Sequence, residues 1–389
     1  MNRESHIARR ARDITPFAVM DILERAREME SRGSGVVHLE IGEPDFVTPA
    51  PIRRAGIAAI RRGMTHYTSS MGLIELRRAI CGHMAREHGV TVPPERIMVT
   101  EGSSSALLMT LAALIEPGSE VIVADPCYPC YHNFIEFLGG RAARVRTHEE
   151  EGFSLDPDRV ARRITRRTAA ILINSPANPT GAILDAGVMR AIARLGPPVV
   201  SDEIYHGLVY EGAAHSLLEF SRRGFVVNGF SKRFAMTGWR LGYVIAPQPY
   251  VRPLQRMQQN FTISPNAFSQ WGGVAALREA LPHAERMRLQ FARRRKVMLG
   301  ALARAGLPVA CAPQGAYYVF VNLRRYGRDS RRMAHELLEK ARVAVTPGAE
   351  FGPGGEGFIR LSYAASVENI LEGIRRIERH LPKLARGKS

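Results

Sequence analysis

Between residues 97 and 246 the chain repeats one arrangement: a short apolar run of strand length, a polar turn, and in most cases a stretch of helical periodicity. Strands are predicted at 97–99, 120–124, 169–174, 198–201, 225–228 and 241–246, where Val- and Ile-rich runs are bounded by turn residues. Helices are predicted over 73–88, 103–115 and 184–195, from apolar spacing of three and four. Strands that are apolar throughout must be buried on both faces, and helices in the connections are what cover them. The pattern therefore predicts an α/β domain with a mostly parallel sheet flanked by helices. Ahead of it, a basic arm leads into a helix over 16–31 with apolar positions at Phe17, Met20, Ile22 and Leu23. Gly33-Ser34-Gly35 stops that helix, and a short strand at 36–39 enters the loop Gly42-Glu43-Pro44-Asp45. Beyond residue 285 come a long arginine-rich helix, the apolar run 317–321, a helix at 331–341, strands at 343–345 and 358–362, and a last helix from Val367. This set predicts a smaller α+β domain. The division expected is 1–46 as an N-terminal arm with part of the small domain, 47–285 as the large domain, and 286–389 as the small domain.

The formal net charge is +17, from 54 Lys and Arg against 37 Asp and Glu. Such a balance is found in nucleic-acid binders and in basic enzymes alike. Here the arginines are spread over the whole chain, with no basic tail and no basic motif interleaved with aromatics, so no nucleic-acid partner is expected. Four cysteines do not make a disulfide framework at this length. Cys127 and Cys130 form a C-x2-C pair without a second pair, which argues for buried fillers and against a metal site. The first twelve residues are polar and basic, without the apolar segment of a signal peptide, and no apolar run reaches membrane-span length. A cytoplasmic setting and no membrane partner are expected.

Lys232 is the only lysine before residue 296, in a chain that otherwise uses arginine for positive charge. Arginine stays protonated and cannot condense with a carbonyl, whereas a lysine amine can. A retained lysine is therefore either a chance surface residue or a nitrogen nucleophile, and its neighbours decide. In open α/β sheets the functional residues collect beyond the carboxyl ends of the strands. Beyond the first strand lies Gly102-Ser103-Ser104-Ser105 at a helix start, which is either a plain N-cap or an anion site. Beyond the third lies Asn174-Ser175-Pro176-Ala177-Asn178-Pro179-Thr180-Gly181, beyond the fourth Asp202-Glu203-Ile204-Tyr205, and beyond the fifth Ser231-Lys232 followed by Gly238-Trp239-Arg240-Leu241-Gly242.

In their order and spacing, the Asn-Pro-Thr-Gly, Asp-Glu-x-Tyr and Ser-Lys-x-Phe-x-x-x-Gly-x-Arg-x-Gly segments resemble the fold type I, class I/II aminotransferases that use pyridoxal 5'-phosphate. The resemblance runs from Gly42-Glu43-Pro44-Asp45-Phe46 to Phe358-Ile359-Arg360-Leu361-Ser362. It implies that 47–285 binds the cofactor. It implies a Schiff base between Lys232 and the cofactor, with Lys232 later carrying the proton between the substrate Cα and the cofactor. Asp202 would pair with the ring nitrogen, Tyr205 and Asn178 would bond the phenolate oxygen, and Tyr128 would stack on the ring. Ser103, Ser104, Ser231 and Arg240 would bind the phosphate, with Tyr67 reaching in from the second subunit of a homodimer with shared active sites. Arg360 would clamp the substrate α-carboxylate, helped by Gly42 and Asn178. The activity implied is transfer of an amino group from an L-amino acid to a 2-oxo acid, 2-oxoglutarate in particular. The alternative on the same fold is a C–S β-lyase or other carbanion chemistry. A catalytically dead DNA-binding regulator would need a helix-turn-helix, for which the residues before Pro16 are too few. His206 is expected to pack rather than catalyse, Trp239 to give structural support beside Arg240, and 260–270 to lie near the dimer interface. No second arginine stands in a motif tied to a distal carboxylate of the substrate.

Overall fold

The computed structural model describes residues 6–386. Strand β1 (Val37–His38) follows the first long helix, and β2 to β8 then form the large sheet: Ile97–Thr100, Glu120–Asp125, Arg141–Arg146, Thr168–Asn174, Val199–Asp202, Phe225–Gly229 and Gly242–Ile245. Their order is β2-β8-β7-β6-β5-β3-β4. The neighbours from β7 to β4 pair in parallel, while β8 runs antiparallel to both β7 and β2. β8 is thus the one reversed strand.

Alternation along each strand sends neighbouring residues to opposite faces. Val99, Ile122, Ile171, Ile173, Val226 and Ile245 enter one core. Met98, Val121, Val123, Leu172, Val227 and Val244 enter the other. Helices cover both faces, as strands apolar on both sides require. The mostly parallel, helix-flanked sheet is as the sequence pattern predicts. The missed strand is β4. Its sequence Arg-Ala-Ala-Arg-Val-Arg reads as surface, but it is an edge strand that buries only Ala143 and Val145. Charged residues on an edge also discourage pairing with a second molecule.

Strands β9 (Tyr318–Asn322), β10 (Val343–Ala344), β11 (Thr346–Pro347) and β12 (Phe358–Ser362) make the smaller unit. β11, β12 and β9 form an antiparallel sheet in that order, and β10 pairs in parallel with β1. The run expected as one strand at 343–345 is therefore split, passing from β1 to β12 within four residues. The helix Leu281–Arg304 buries a stripe at helical spacing that serves both units: Ala284 and Met287 enter a core of the large sheet, and Phe291, Met298, Ala301 and Leu302 join Val319, Val321, Ile359 and Leu361. The helix Ala18–Ser31 buries Val19, Leu23, Ala26 and Met29. Ala26 and Met29 pack on Leu338 and Ala344, and Glu350 Oε1 accepts a hydrogen bond from the Ala18 N–H at 3.0 Å. Met20, expected among the packed positions, is instead exposed on this helix. No helix among the described residues is long and apolar enough to cross a membrane.

Tyr205, just beyond β6, packs edge-to-face on Tyr317 and Tyr318 with ring centroids 5.6 and 5.8 Å apart. The smaller unit thereby sits over the carboxyl edge of the large sheet.

Candidate active site

The register of the sheet explains why distant segments meet. β2, β3, β5, β6 and β7 all end at the same edge, and reversed β8 begins there, since Gly242 lies opposite both Thr100 and Gly229. Whatever follows the parallel strands, and whatever precedes β8, converges on that edge. Ser103 and Ser104 follow β2, Tyr128 follows β3, Asn178 follows β5, Asp202 ends β6, Ser231 and Lys232 follow β7, and Arg240 precedes β8. Gly42, Tyr205 and Arg360 complete the wall of one cavity of about 750 Å³ that all of these residues line. Of the sequence-predicted site residues, Tyr67 alone is absent from the wall. Its side chain is 79% exposed.

Lys232 Nζ donates to the Gly42 carbonyl oxygen at 2.7 Å. Burial pushes its amine down from 10.5 to about 8, against a partial upward pull from Glu43. Asp202 accepts from Tyr131 Oη at 2.7 Å on Oδ2 and from the Ile204 N–H at 3.1 Å on Oδ1. Burial nonetheless raises its carboxyl to about 6, the two hydrogen bonds only partly opposing. Among the described residues no Lys, Arg or His side chain forms an ion pair with Asp202. This is a buried acid with room for a cationic partner.

The helix Gly102–Ala112 opens on the cavity without a side-chain cap. Its first-turn N–H groups and the helix dipole favour an anion there. Backbone packing is tight at this corner: a Cβ on Gly242 would meet Gly102 C and Ser103 N at 2.5 Å. Arg240 reaches the same corner, with its guanidinium against Gly102. It holds a left-handed backbone at φ 50°, a sparsely populated conformation outside glycine. Its Nη1 donates to the Thr237 carbonyl at 2.9 Å.

Arg360 is buried and held from three sides. Nη1 donates to Asn178 Oδ1 at 2.9 Å, and Nη2 donates to the Glu40 carbonyl at 2.6 Å and to Thr346 Oγ1 at 3.1 Å. Tyr318 lies under the guanidinium at 4.2 Å, while Nε is buried without a partner. Asn178 is therefore bonded to the guanidinium and Tyr205 Oη to Tyr318 Oη at 2.9 Å. Neither of the two bonds the other. Phe17 meets Tyr128 edge-to-face at 6.3 Å, and Tyr128 meets Tyr131 at 5.4 Å.

Several wall residues were not expected at the site: Tyr131, Tyr318, Thr237, and from the N-terminal helix Arg27 together with Met20 and Leu23, read in the sequence only as apolar helix positions. Tyr131 stands in the first turn of the helix Cys130–Phe137, just after the turn that carries Tyr128, and nothing in the local sequence marks it. His206 is buried against His88 and Glu203, and burial drives its imidazole well below the usual range. It does not line the cavity. Glu203 is buried with Leu217 N–H and Ser216 Oγ on Oε1, and burial raises it to about 8. Trp239 Nε1 donates to Thr48 Oγ1 at 3.2 Å, and its ring fills the space beside Gly56 and Gly272, which is structural support. In the 260–270 segment, Ser264 Oγ accepts from Thr68 N–H and Gln270 Oε1 from Leu73 N–H, so the segment braces the loop that carries Tyr67. All four cysteines are free.

The sequence matches the family described as aminotransferase class I and II over residues 34–377. A (5-formylfuran-3-yl)methyl phosphate transaminase of Methanocaldococcus jannaschii is 42% identical over 97% of this chain and 100% of its own length. An aspartate/prephenate aminotransferase of Thermus thermophilus is 39% identical over 96% of this chain and 98% of its own. A solved aspartate aminotransferase from Thermus thermophilus, with maleate, superposes with a TM-score of 0.92 at 40% identity, covering 96% of this chain and 99% of that one. Motif order, fold and full-length similarity agree, and the chain belongs to the class I and II aminotransferases, enzymes that depend on pyridoxal phosphate.

Proposed function

We propose that this enzyme moves an amino group from an L-amino acid to 2-oxoglutarate or a related 2-oxo acid, using pyridoxal 5'-phosphate held at Lys232. The observation that carries the reading is the pairing, in one cavity, of a lysine amine brought down to about 8 with a buried carboxyl that lacks a cationic partner. The donor set fits the cofactor. Asp202 would meet its ring nitrogen as a counter-charge, and Tyr128 would offer a ring face. The uncapped helix start with Ser103, Ser104, Ser231 and Arg240 offers hydroxyls, N–H groups and a cation to a phosphate. Tyr205 and Asn178 would supply polar atoms to the ring oxygen. The cofactor contributes a carbonyl carbon for amines and a ring that accepts electron density from the substrate Cα.

The chain's own residues do the rest. Lys232 Nζ, kept neutral more readily than an exposed lysine, would take the proton from the substrate Cα and deliver it to the cofactor carbon that bears the substrate nitrogen. Arg360 is pre-set by Glu40, Thr346 and Asn178 to receive the α-carboxylate, and Gly42 borders the same space. The smaller unit, placed over the sheet edge, excludes water from this step. We assign the large domain to 47–285 and the small domain to 286–389, with 1–46 as an N-terminal arm and part of the small domain. We also assign a homodimer with shared active sites, in which Tyr67 serves the partner. Exposed Ile57, Ile60, Tyr67, Phe261 and Ile263 support such a face. Four free thiols suit a cytoplasmic enzyme.

The test is a screen of amino donors against 2-oxoglutarate, pyruvate and oxaloacetate, read by product mass. Transamination of at least one pair by yellow, cofactor-loaded protein is expected. Ammonia, pyruvate and a thiol from a sulfur amino acid, with no amino-group exchange, would instead establish the β-lyase.

Arg360→Ala should lower kcat/KM for every amino acid by a similar factor, about 10- to 100-fold for loss of a charged hydrogen bond. Steady-state kinetics on three unlike donors check this. A donor left untouched would place the carboxylate clamp elsewhere.

A further inference from the structure

Four cationic side chains line the cavity: Arg27, Lys232, Arg240 and Arg360. Three have structural partners. Lys232 bonds to Gly42, Arg240 to Thr237, and Arg360 to Glu40, Thr346 and Asn178. Arg27 differs from all of them. Among the described residues it makes no hydrogen bond or ion pair, although Arg25 on the same helix is held by Glu28 and Glu339, and Arg32 by Glu28. Of the carboxylates near it in sequence, Glu28 is taken by those two arginines and Glu30 bonds His38, while Glu24, three residues back on the helix, forms no ion pair with it among the described residues. Glu43, the other acid in the cavity wall besides Asp202, accepts from Thr237 Oγ1 at 3.0 Å.

Its placement is set by the helix. Met20, Leu23 and Arg27 are spaced three and four apart, so they share one face of Ala18–Ser31, and all three line the cavity. Phe17, at the start, touches the Tyr128 ring. Arg27 is ten residues further on, about 15 Å along the axis, and its side chain leans back toward the helix start. The face therefore runs from an aromatic corner through Met20 and Leu23 to an unpaired guanidinium. An apolar path that ends in a free cation fits a side chain that is hydrophobic along its length and anionic at its tip.

Resting on the transaminase reading above, we propose that Arg27 is a specificity-determining residue that binds a terminal anion, carboxylate or phosphate, on the substrate side chain, while Arg360 holds the α-carboxylate. The enzyme then prefers amino and oxo acids with a second, distal negative group.

The test titrates the cofactor-loaded enzyme with unreactive ligands: propanoate, succinate, glutarate, adipate and 3-phosphonopropanoate. Wild-type protein should bind at least one dianion tenfold or more tightly than propanoate, and the succinate-to-phosphonate comparison distinguishes carboxylate from phosphate. In Arg27→Met that preference should fall by about tenfold or be lost altogether, within the range for a hydrogen bond to a charged group, and Arg27→Lys should retain part of it. An unchanged preference in Arg27→Met overturns the proposal. So does an equal loss for propanoate and the dianions, which would mark Arg27 as structural. Failure of wild-type enzyme to transaminate any donor would overturn the reading it rests on, and the binding comparison would still decide Arg27.

Discussion

Lys232→Arg should retain the charge and lose essentially all turnover, by roughly 10^4-fold or more, because a guanidinium can neither condense with a carbonyl nor take a proton at neutral pH. Lys232→Ala should be as inactive, so charge is not the property that matters. Borohydride, which fixes a carbon–nitrogen double bond as a stable amine, should add cofactor mass to the peptide bearing Lys232 in wild-type protein and to no peptide in either variant. The pH dependence follows from burial. The amine in the cofactor-free protein is brought down from 10.5 to about 8, so its neutral, reactive fraction rises with pH through about 8 rather than through 10.5. The rate of cofactor capture, followed by absorbance, should climb over that window and level off above it. A midpoint near 10.5 would mean that the amine is exposed in solution. Cofactor mass appearing on Lys296, Lys340 or Lys383 would remove Lys232 from its assigned role.

The legible parts of this chain are those governed by local sequence. Runs such as Val226-Val227 and Ile171-Leu172-Ile173 are short, β-branched and apolar without interruption, which fits a strand covered on both faces. Once those strands are aligned in parallel, their ends must share an edge, so Asp202, Asn178, Ser103 and Lys232 could be grouped before any geometry was known. β4 was hidden because Arg141, Arg144 and Arg146 occupy its outward and edge positions, which breaks the apolar signal. The setting of Arg360 was hidden for a different reason. Two of its holders, Glu40 and Asn178, lie 320 and 182 residues away, and the first acts through its backbone carbonyl, which any residue type supplies. Arg27 was one arginine among many. It stands out only when its neighbours are seen to be paired and it is not.

Asp202→Asn should leave the shape of the site intact and remove the charge that a protonated ring nitrogen needs. Breaking a buried charge pair costs about 3–5 kcal/mol, which corresponds to two to four powers of ten in rate or affinity. Turnover should fall by that range, and cofactor should dissociate more readily on dialysis. The direction with pH can be worked out for the wild-type protein. In the cofactor-free state burial holds the Asp202 carboxyl at about 6, so it is mostly ionised at pH 7.5 and mostly protonated at pH 5. A cationic ring nitrogen favours the ionised form, so binding lowers the carboxyl and must expel a proton whenever the pH is below 6. Relative to Asp202→Asn, the affinity of the wild-type protein for cofactor should therefore be nearly constant above about pH 7 and weaken by up to tenfold per unit below 6, the Lys232 amine near 8 acting alike in both proteins. Asp202→Asn has no such proton to lose, and its weaker affinity should lack that inflection. Equilibrium titration of cofactor by absorbance at pH 5, 6, 7 and 8 on both proteins separates the cases. An inflection that persists in Asp202→Asn would assign the titration to another group and take from Asp202 the role of counter-ion.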